Sequence, residues 1–172
     1  RSIMAETFTL YKLIVLHMLD RVDFPLTTSQ ISEFILDKGY TTYFRLQSAL
    51  AELTDSGLLK IELTHNRTLY NLTEEGAATI NYFRNKISPE IRQEIDNFIN
   101  EKKYDLKEEV SVKSDYYLNT NHEYEVKCQI LENGSHLIDM TLTVPTQTEA
   151  EAIVNNWNRK NQEIYALLLS QL

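Results

Sequence analysis

Cysteine, glycine and long apolar runs are scarce in this chain, and each shortage removes a class of protein. A single cysteine, Cys128, in 172 residues excludes an internal disulfide, and without a second thiol or a histidine pair nearby it makes a poor zinc site. Set among alternating Tyr124, Val126 and Ile130, it reads as a small buried strand residue. Four glycines leave little room for a glycine-rich phosphate loop, and there is no nucleophile elbow or zincin helix. His17, His65, His122 and His136 are scattered, each without an orienting partner in sequence, so none reads as a metal ligand or general base. His17 lies inside an apolar run, where a hydrogen-bonded structural histidine is the expectation. The apolar runs, residues 13–16 among them, are far below the roughly 20 residues that cross a bilayer, and no charged-then-apolar leader is expected. The expectation is a soluble, cytoplasmic protein that is not an enzyme and uses no cofactor, metal or membrane.

Cations are also in short supply. Lysine and arginine number 17 against 25 acids, a net charge of -8, whereas DNA-binding proteins usually present a basic face. Between residues 26 and 75, Lys38, Arg45, Lys60 and Arg67 stand against Glu33, Asp37, Glu52, Asp55, Glu62, Glu74 and Glu75. A basic surface there is local at best, built from those four cations.

What the sequence does have is sharply punctuated local structure over residues 26–72. Thr27 is placed to cap a helix and Gln30, three residues on, to close a capping box. Ile31, Phe34 and Ile35 fall on one face, and Gly39 stops the helix. Thr41 or Thr42 can cap a second helix whose Leu46, Ala49, Leu50 and Leu53 form the next apolar stripe. Gly57 ends it, with Leu58 placed to touch Leu53 as in a Schellman ending. Leu59, Ile61 and Leu63 then alternate with Lys60 and Glu62, Thr64, His65, Asn66 and Arg67 supply turn residues, and Tyr70 and Leu72 alternate back. Two short helices joined by a tight link and followed at once by a hairpin are the layout of a winged helix-turn-helix. Leu26 is placed to add a very short third strand.

The run Tyr70-Asn71-Leu72-Thr73-Glu74-Glu75-Gly76 resembles the wing exit of bacterial winged-helix regulators. Lys12-Leu13-Ile14-Val15-Leu16, the stretch 25–36 and Tyr43-Phe44-Arg45-Leu46-Gln47 together resemble a bacterial family catalogued as domain-of-unknown-function family 4364, over nearly the whole chain. The resemblance implies a winged-helix fold with a C-terminal α+β extension and a regulatory role. It brings no catalytic or ligand residues with it.

Around this motif, residues 6–22 read as a helix that is apolar nearly all round and so buried on more than one side. Thr73 caps a helix that carries Glu74 and Glu75 in its first turn, where the dipole favours anions. Ser88-Pro89 starts another, with Ile91, Ile95, Phe98 and Ile99 as its stripe and Lys102-Lys103 in its last turn. The stretch 80–99 is a candidate dimer interface by analogy, or equally an internal packing face. From Leu106 the pattern alternates: strands are expected at 109–118, 122–131 and 137–144, joined by Asn119-Thr120-Asn121 and Asn133-Gly134-Ser135 into an antiparallel meander. Thr146 and Glu149 form a second capping box for a long final helix whose Ala150, Ile153, Val154, Trp157, Ile164 and Leu168 cover the sheet. The expected fold is α+β: a winged helix-turn-helix domain (1–87), a connecting helix (88–105) and a βββα domain (106–172).

Function follows from the second helix of the motif. Its flank away from the stripe carries Thr42, Arg45, Gln47 and Ser48, residue types that read base edges or hold phosphate. Tyr43 and Phe44 beside them pack either on the first helix or on a partner. Lys60 and the turn residues His65, Asn66 and Arg67 are the candidate wing contacts. The expectation is a sequence-specific regulator that binds double-stranded DNA as a homodimer. Two other readings stay open: a non-catalytic protein-interaction module, and a small-molecule sensor with a pocket lined by Tyr116, Tyr124 and Trp157, three residues that a buried core explains as well.

Overall fold

The computed structural model describes residues 3–172, with side chains from Leu10 onward. Its first helix, α1 (Ile3–Asp20), is enclosed as its all-round apolar sequence requires: Leu13, Ile14, Val15, Leu16, Met18 and Leu19 are all buried. His17 is buried with them, and here the expectation fails. Neither ring nitrogen has a hydrogen-bond partner, and the nearest carboxylate oxygen, Asp96 Oδ1, is 3.7 Å away, beyond hydrogen-bonding range.

Local chemistry sets the next boundaries. Leu26–Thr27 forms β1 and Thr28–Asp37 forms α2. The Thr27 hydroxyl accepts from Gln30 N at 3.0 Å while Gln30 Oε1 accepts from Thr27 N at 2.9 Å, a complete capping box. Gln30 is buried and its Nε2 donates to the Leu106 carbonyl at 3.2 Å, so one side chain ties the start of α2 to a later segment. Helix α3 (Tyr43–Asp55) is capped by Thr42. Its C-terminus is a Schellman motif: Leu58 N donates to Leu53 O at 3.0 Å and Gly57 N to Thr54 O at 3.1 Å, with Gly57 at φ +77°, where a Cβ is strained. β2 (Leu59–Leu63) and β3 (Thr68–Leu72) pair antiparallel, and the sheet order is β1-β3-β2.

Helix α4 (Glu74–Phe83) follows from the Thr73 cap and leads through a 3-10 turn (Arg84–Lys86) into α5 (Pro89–Ser111). The expected strand start at residue 109 is corrected here, since α5 runs on to Ser111. Leu106 and Val110, one helical turn apart, are both buried. Ile80, Ile87, Ile95 and Ile99 are also buried, in one core with α1, α2 and α3, so the apolar stripe over 80–99 is internal packing and not a free dimer face.

The sheet β4 (Val112–Leu118), β5 (Tyr124–Glu132), β6 (Ser135–Val144) is an antiparallel meander in that order. The β5–β6 turn places Asn133 and Gly134 at φ +51° and +79°, the primed-turn geometry that an Asn-Gly pair favours. Helix α6 (Gln147–Gln171) buries Ala150, Val154 and Trp157 in a second core with Tyr116, Val126, Cys128 and Ile130. The chain therefore forms two units, one comprising the chain up to Leu63 with Arg67–Lys107, the other Thr64–Asn66 with Glu108–Leu172. Among the described residues it is mixed α+β, with six α-helices and two three-stranded antiparallel sheets.

Candidate functional site

Burying Leu46, Ala49, Leu50 and Leu53 turns the other side of α3 outward. Its first turn is the most open part: Tyr43 is 59% and Phe44 79% exposed, with Thr42 and Arg45 exposed beside them. No acid lies in that turn, in contrast to α4, where Glu74 and Glu75 sit on the helix N-terminus. The free amides there favour an anion. The Thr42 hydroxyl accepts from Arg45 N at 3.4 Å, so its oxygen is partly used in holding the helix start.

The cations fall into two groups. Lys12 pairs with Glu52, Lys102 with Glu33, Arg21 with Asp96 and Arg84 with Asp20. Arg45, Lys60 and Lys38 are exposed and make no ion pair among the described residues, and the Lys12–Glu52 pair also offsets one of the two acids that α3 carries. An exposed Arg45 thus stands at the start of α3 with no acid in that turn, in a chain of net charge -8.

The other expected site residues are placed as follows. Ser48 is half-buried. Gln47 is half-buried as well, and its amide nitrogen is shut off from solvent without a hydrogen-bond partner among the described residues. Asn66 is exposed and accepts from the Thr64 hydroxyl at 3.0 Å, and Arg67 is half-buried. His65 is already engaged within the second unit: its ring stacks on Tyr116 at 3.8 Å and 8°, and its Nδ1 is paired with Asp115 Oδ1. On β2 the expected half-buried alternation fades along the strand, from a buried Leu59 to Ile61 at 38% and Leu63 at 67% exposed, where β2 is the edge of its sheet.

Tyr116, Tyr124 and Trp157, the lining named for the sensor reading, are placed in the second core, the alternative weighed with it. There Trp157 Nε1 donates to the Gln129 carbonyl at 3.3 Å and the Tyr116 hydroxyl to Glu151 at 3.1 Å. Sequence reading passed over a different group, Arg21, Arg84 and Arg92, which share a pocket of the first unit. No spacing signal marks them, since they come from separate segments. Among the described residues no cluster of histidine, cysteine, aspartate or glutamate is arranged to hold a metal ion, and no helix is long and apolar enough to cross a membrane.

The model of a family described as a domain of unknown function, DUF4364, matches residues 11–172. No curated protein and no solved structure matches the chain.

Proposed function

The chain belongs to the DUF4364 family, and from that premise we propose that it is a winged helix-turn-helix protein that regulates transcription by binding double-stranded DNA. The element order α1, β1, α2, α3, β2, β3, with β1 completing the hairpin sheet, supports the winged-helix reading. One observation carries the DNA reading: the first turn of α3 is solvent-open, free of acid, and bears an Arg45 that makes no ion pair among the described residues. Recognition helices touch base edges with their N-terminal residues, and Arg is the residue best matched to guanine. In this reading α3 enters the major groove with Arg45 and Ser48, Thr42 lies at the groove edge, and Lys60 and Arg67 contact backbone. As a homodimer the protein reads a two-fold symmetric site, through an interface other than the buried stripe over 80–99.

A pooled-duplex selection at low salt tests this. The expected outcome is an enriched motif and a roughly tenfold or greater loss of affinity in Arg45→Ala, the cost of a lost bidentate base contact. A pool that shows no enrichment, with weak binding unchanged in both Arg45→Ala and Arg67→Ala, overturns it.

The exposure of Tyr43 and Phe44 favours a second reading, a protein-interaction module on the same scaffold. Adjacent exposed aromatics are typical anchors of protein interfaces, and the acidic surface suits a basic macromolecular partner. That reading predicts no enriched motif, and a partner interaction lost in Phe44→Ala and kept in Arg45→Ala.

A further inference from the structure

A pocket of about 370 Å³ opens in the first unit where the end of α1, the 3-10 turn and the start of α5 meet, lined by His17, Arg21, Arg84, Arg92, Gln93 and Asp96. Three of the seven arginines of an acidic chain converge there. Two are neutralised. Arg21 is bidentate on Asp96, Nε to Oδ1 at 2.9 Å and Nη2 to Oδ2 at 3.3 Å, and Arg84 Nη2 is held by Asp20 Oδ2 and by Asn81 Oδ1 at 3.0 Å. Arg92 has no ion pair among the described residues, which leaves its charge uncompensated.

The hydrogen-bond accounting singles out the same place. Buried polar atoms almost always find partners, so those that do not call for a reason. Of the seven buried side-chain atoms without one among the described residues, four belong to this lining: both ring nitrogens of His17, Nε of Arg84 and Nε of Arg92. His17 is 2% exposed. The pocket also borders Pro89 in the first turn of α5, whose start is capped by Ser88 through Ile91 N at 3.3 Å and carries Glu90.

Surplus N–H donors and an uncompensated guanidinium call for a ligand rich in acceptors and negative charge. A planar guanidinium meets a carboxylate or a phosphate two-pronged. The volume lies near the lower end of the range for small-molecule sites, roughly 300 to 1,000 Å³, which suits a metabolite and not a macromolecule. We propose that this pocket binds a small-molecule oxyanion, a carboxylate or a phosphate ester, through Arg92 and Arg84, with His17 as a buried hydrogen-bonding partner. The site is independent of the DNA reading and is tested without nucleic acid.

The test titrates the full chain with sodium sulfate, inorganic phosphate and citrate, each against sodium chloride at equal ionic strength, and follows thermal stability and heat of binding. The expected result is saturable stabilisation by at least one oxyanion. Arg92→Gln weakens it roughly tenfold or more, as loss of a charge-assisted bond does, with the ligand-free melting temperature unchanged because Arg92 supports no ion pair. Arg159→Gln on α6 leaves binding as it was. A response to sulfate or phosphate alone assigns a phosphorylated ligand, and a response to citrate alone a carboxylate. Stabilisation no greater than that of chloride, or undiminished in Arg92→Gln, overturns the proposal. Should Arg92→Gln fold poorly, the wild-type histidine ring resonances decide: the His17 signals move with the bound anion if the site is the pocket, and their staying fixed while an anion binds overturns it.

Discussion

Gly76 lies so close beneath Leu58 that a Cβ built on it stands 2.2 Å from the Leu58 carbonyl oxygen and 2.7 Å from Leu72 Cδ1. That carbonyl is a fixed point, accepting from both the amide and the hydroxyl of Thr73, at 3.2 and 3.0 Å. Helix propensity alone says that Gly76→Ala, inside α4, gains about 1 kcal/mol. The clash decides the sign, because the nearest atom is backbone held by the α4 cap. Gly76→Ala is expected to lower unfolding stability by about 1–3 kcal/mol, the cost of overpacking, measured by urea denaturation. An unchanged or raised midpoint refutes the close packing of α4 on the strand entry.

Gln30 supports a second prediction. Its side chain satisfies Thr27 N and the Leu106 carbonyl from a buried position. Gln30→Leu keeps an apolar stem but strands Thr27 N, at about 1–3 kcal/mol, and removes a second bond, of about 1 kcal/mol, to a Leu106 carbonyl that lies within α5 and keeps its helical partner. A loss of about 2–4 kcal/mol is expected by urea denaturation. A loss under about 1 kcal/mol means that neither the Gln30 half of the capping box nor the link to Leu106 contributes measurably.

These two residues differ in how far their roles were legible beforehand. The Thr27 and Gln30 box, the Thr42, Thr73 and Thr146 caps, and the stop at Gly57 are chemistry between near neighbours in sequence, and the sequence displays it directly. The bond from Gln30 to Leu106, and the contact of Gly76 with Leu58, depend on how distant segments meet. The end of α5 was misread for a related reason: Val110 and Val112 alternate like a strand, while Leu106 and Val110 share a helical face, and burial of both favoured the helix. Along β2 the period was legible and its cover was not, since alternation cannot tell how far the rest of a core extends. Gln47 lies at the margin of the α3 stripe, half-buried, where a small rotation decides between core and solvent and the sequence pattern does not fix which. The pocket arginines had no local signature of any kind.

His17 gives a pH dependence. Burial first, then the Arg84 guanidinium, holds its pKa below the ordinary 6.5, against the weaker pull of Asp96. The unfolded chain takes up a proton as pH falls through 6.5 while the native state does not, so stability is lost from that point down to the native pKa and is fully present above 6.5. In chloride buffers free of sulfate and phosphate, the stability lost between pH 7.5 and 5.5 is expected to be smaller in His17→Gln than in the wild type. Equal losses in both proteins refute the assignment, since the carboxylates common to both contribute equally to each.

Cys128 reports on the second unit. It is 1% exposed on β5 under α6, paired in register with Ser114 and Met140, and burial pushes its thiol up to about 11. Reaction with a disulfide reagent needs both access and thiolate, and the native protein offers neither at pH 8. The expected outcome is no measurable reaction of the native chain over the time in which the chain in denaturant reacts completely. With urea below the transition, the labelling rate then follows the opening of the sheet from the helix. Cys128→Ala leaves a small cavity and is expected to cost about 1–2 kcal/mol, by analogy with other small deletions of buried atoms. Rapid stoichiometric labelling without denaturant is the contrary result, and it removes Cys128 from beneath α6, and with it the packing that makes the meander and its helix one layer.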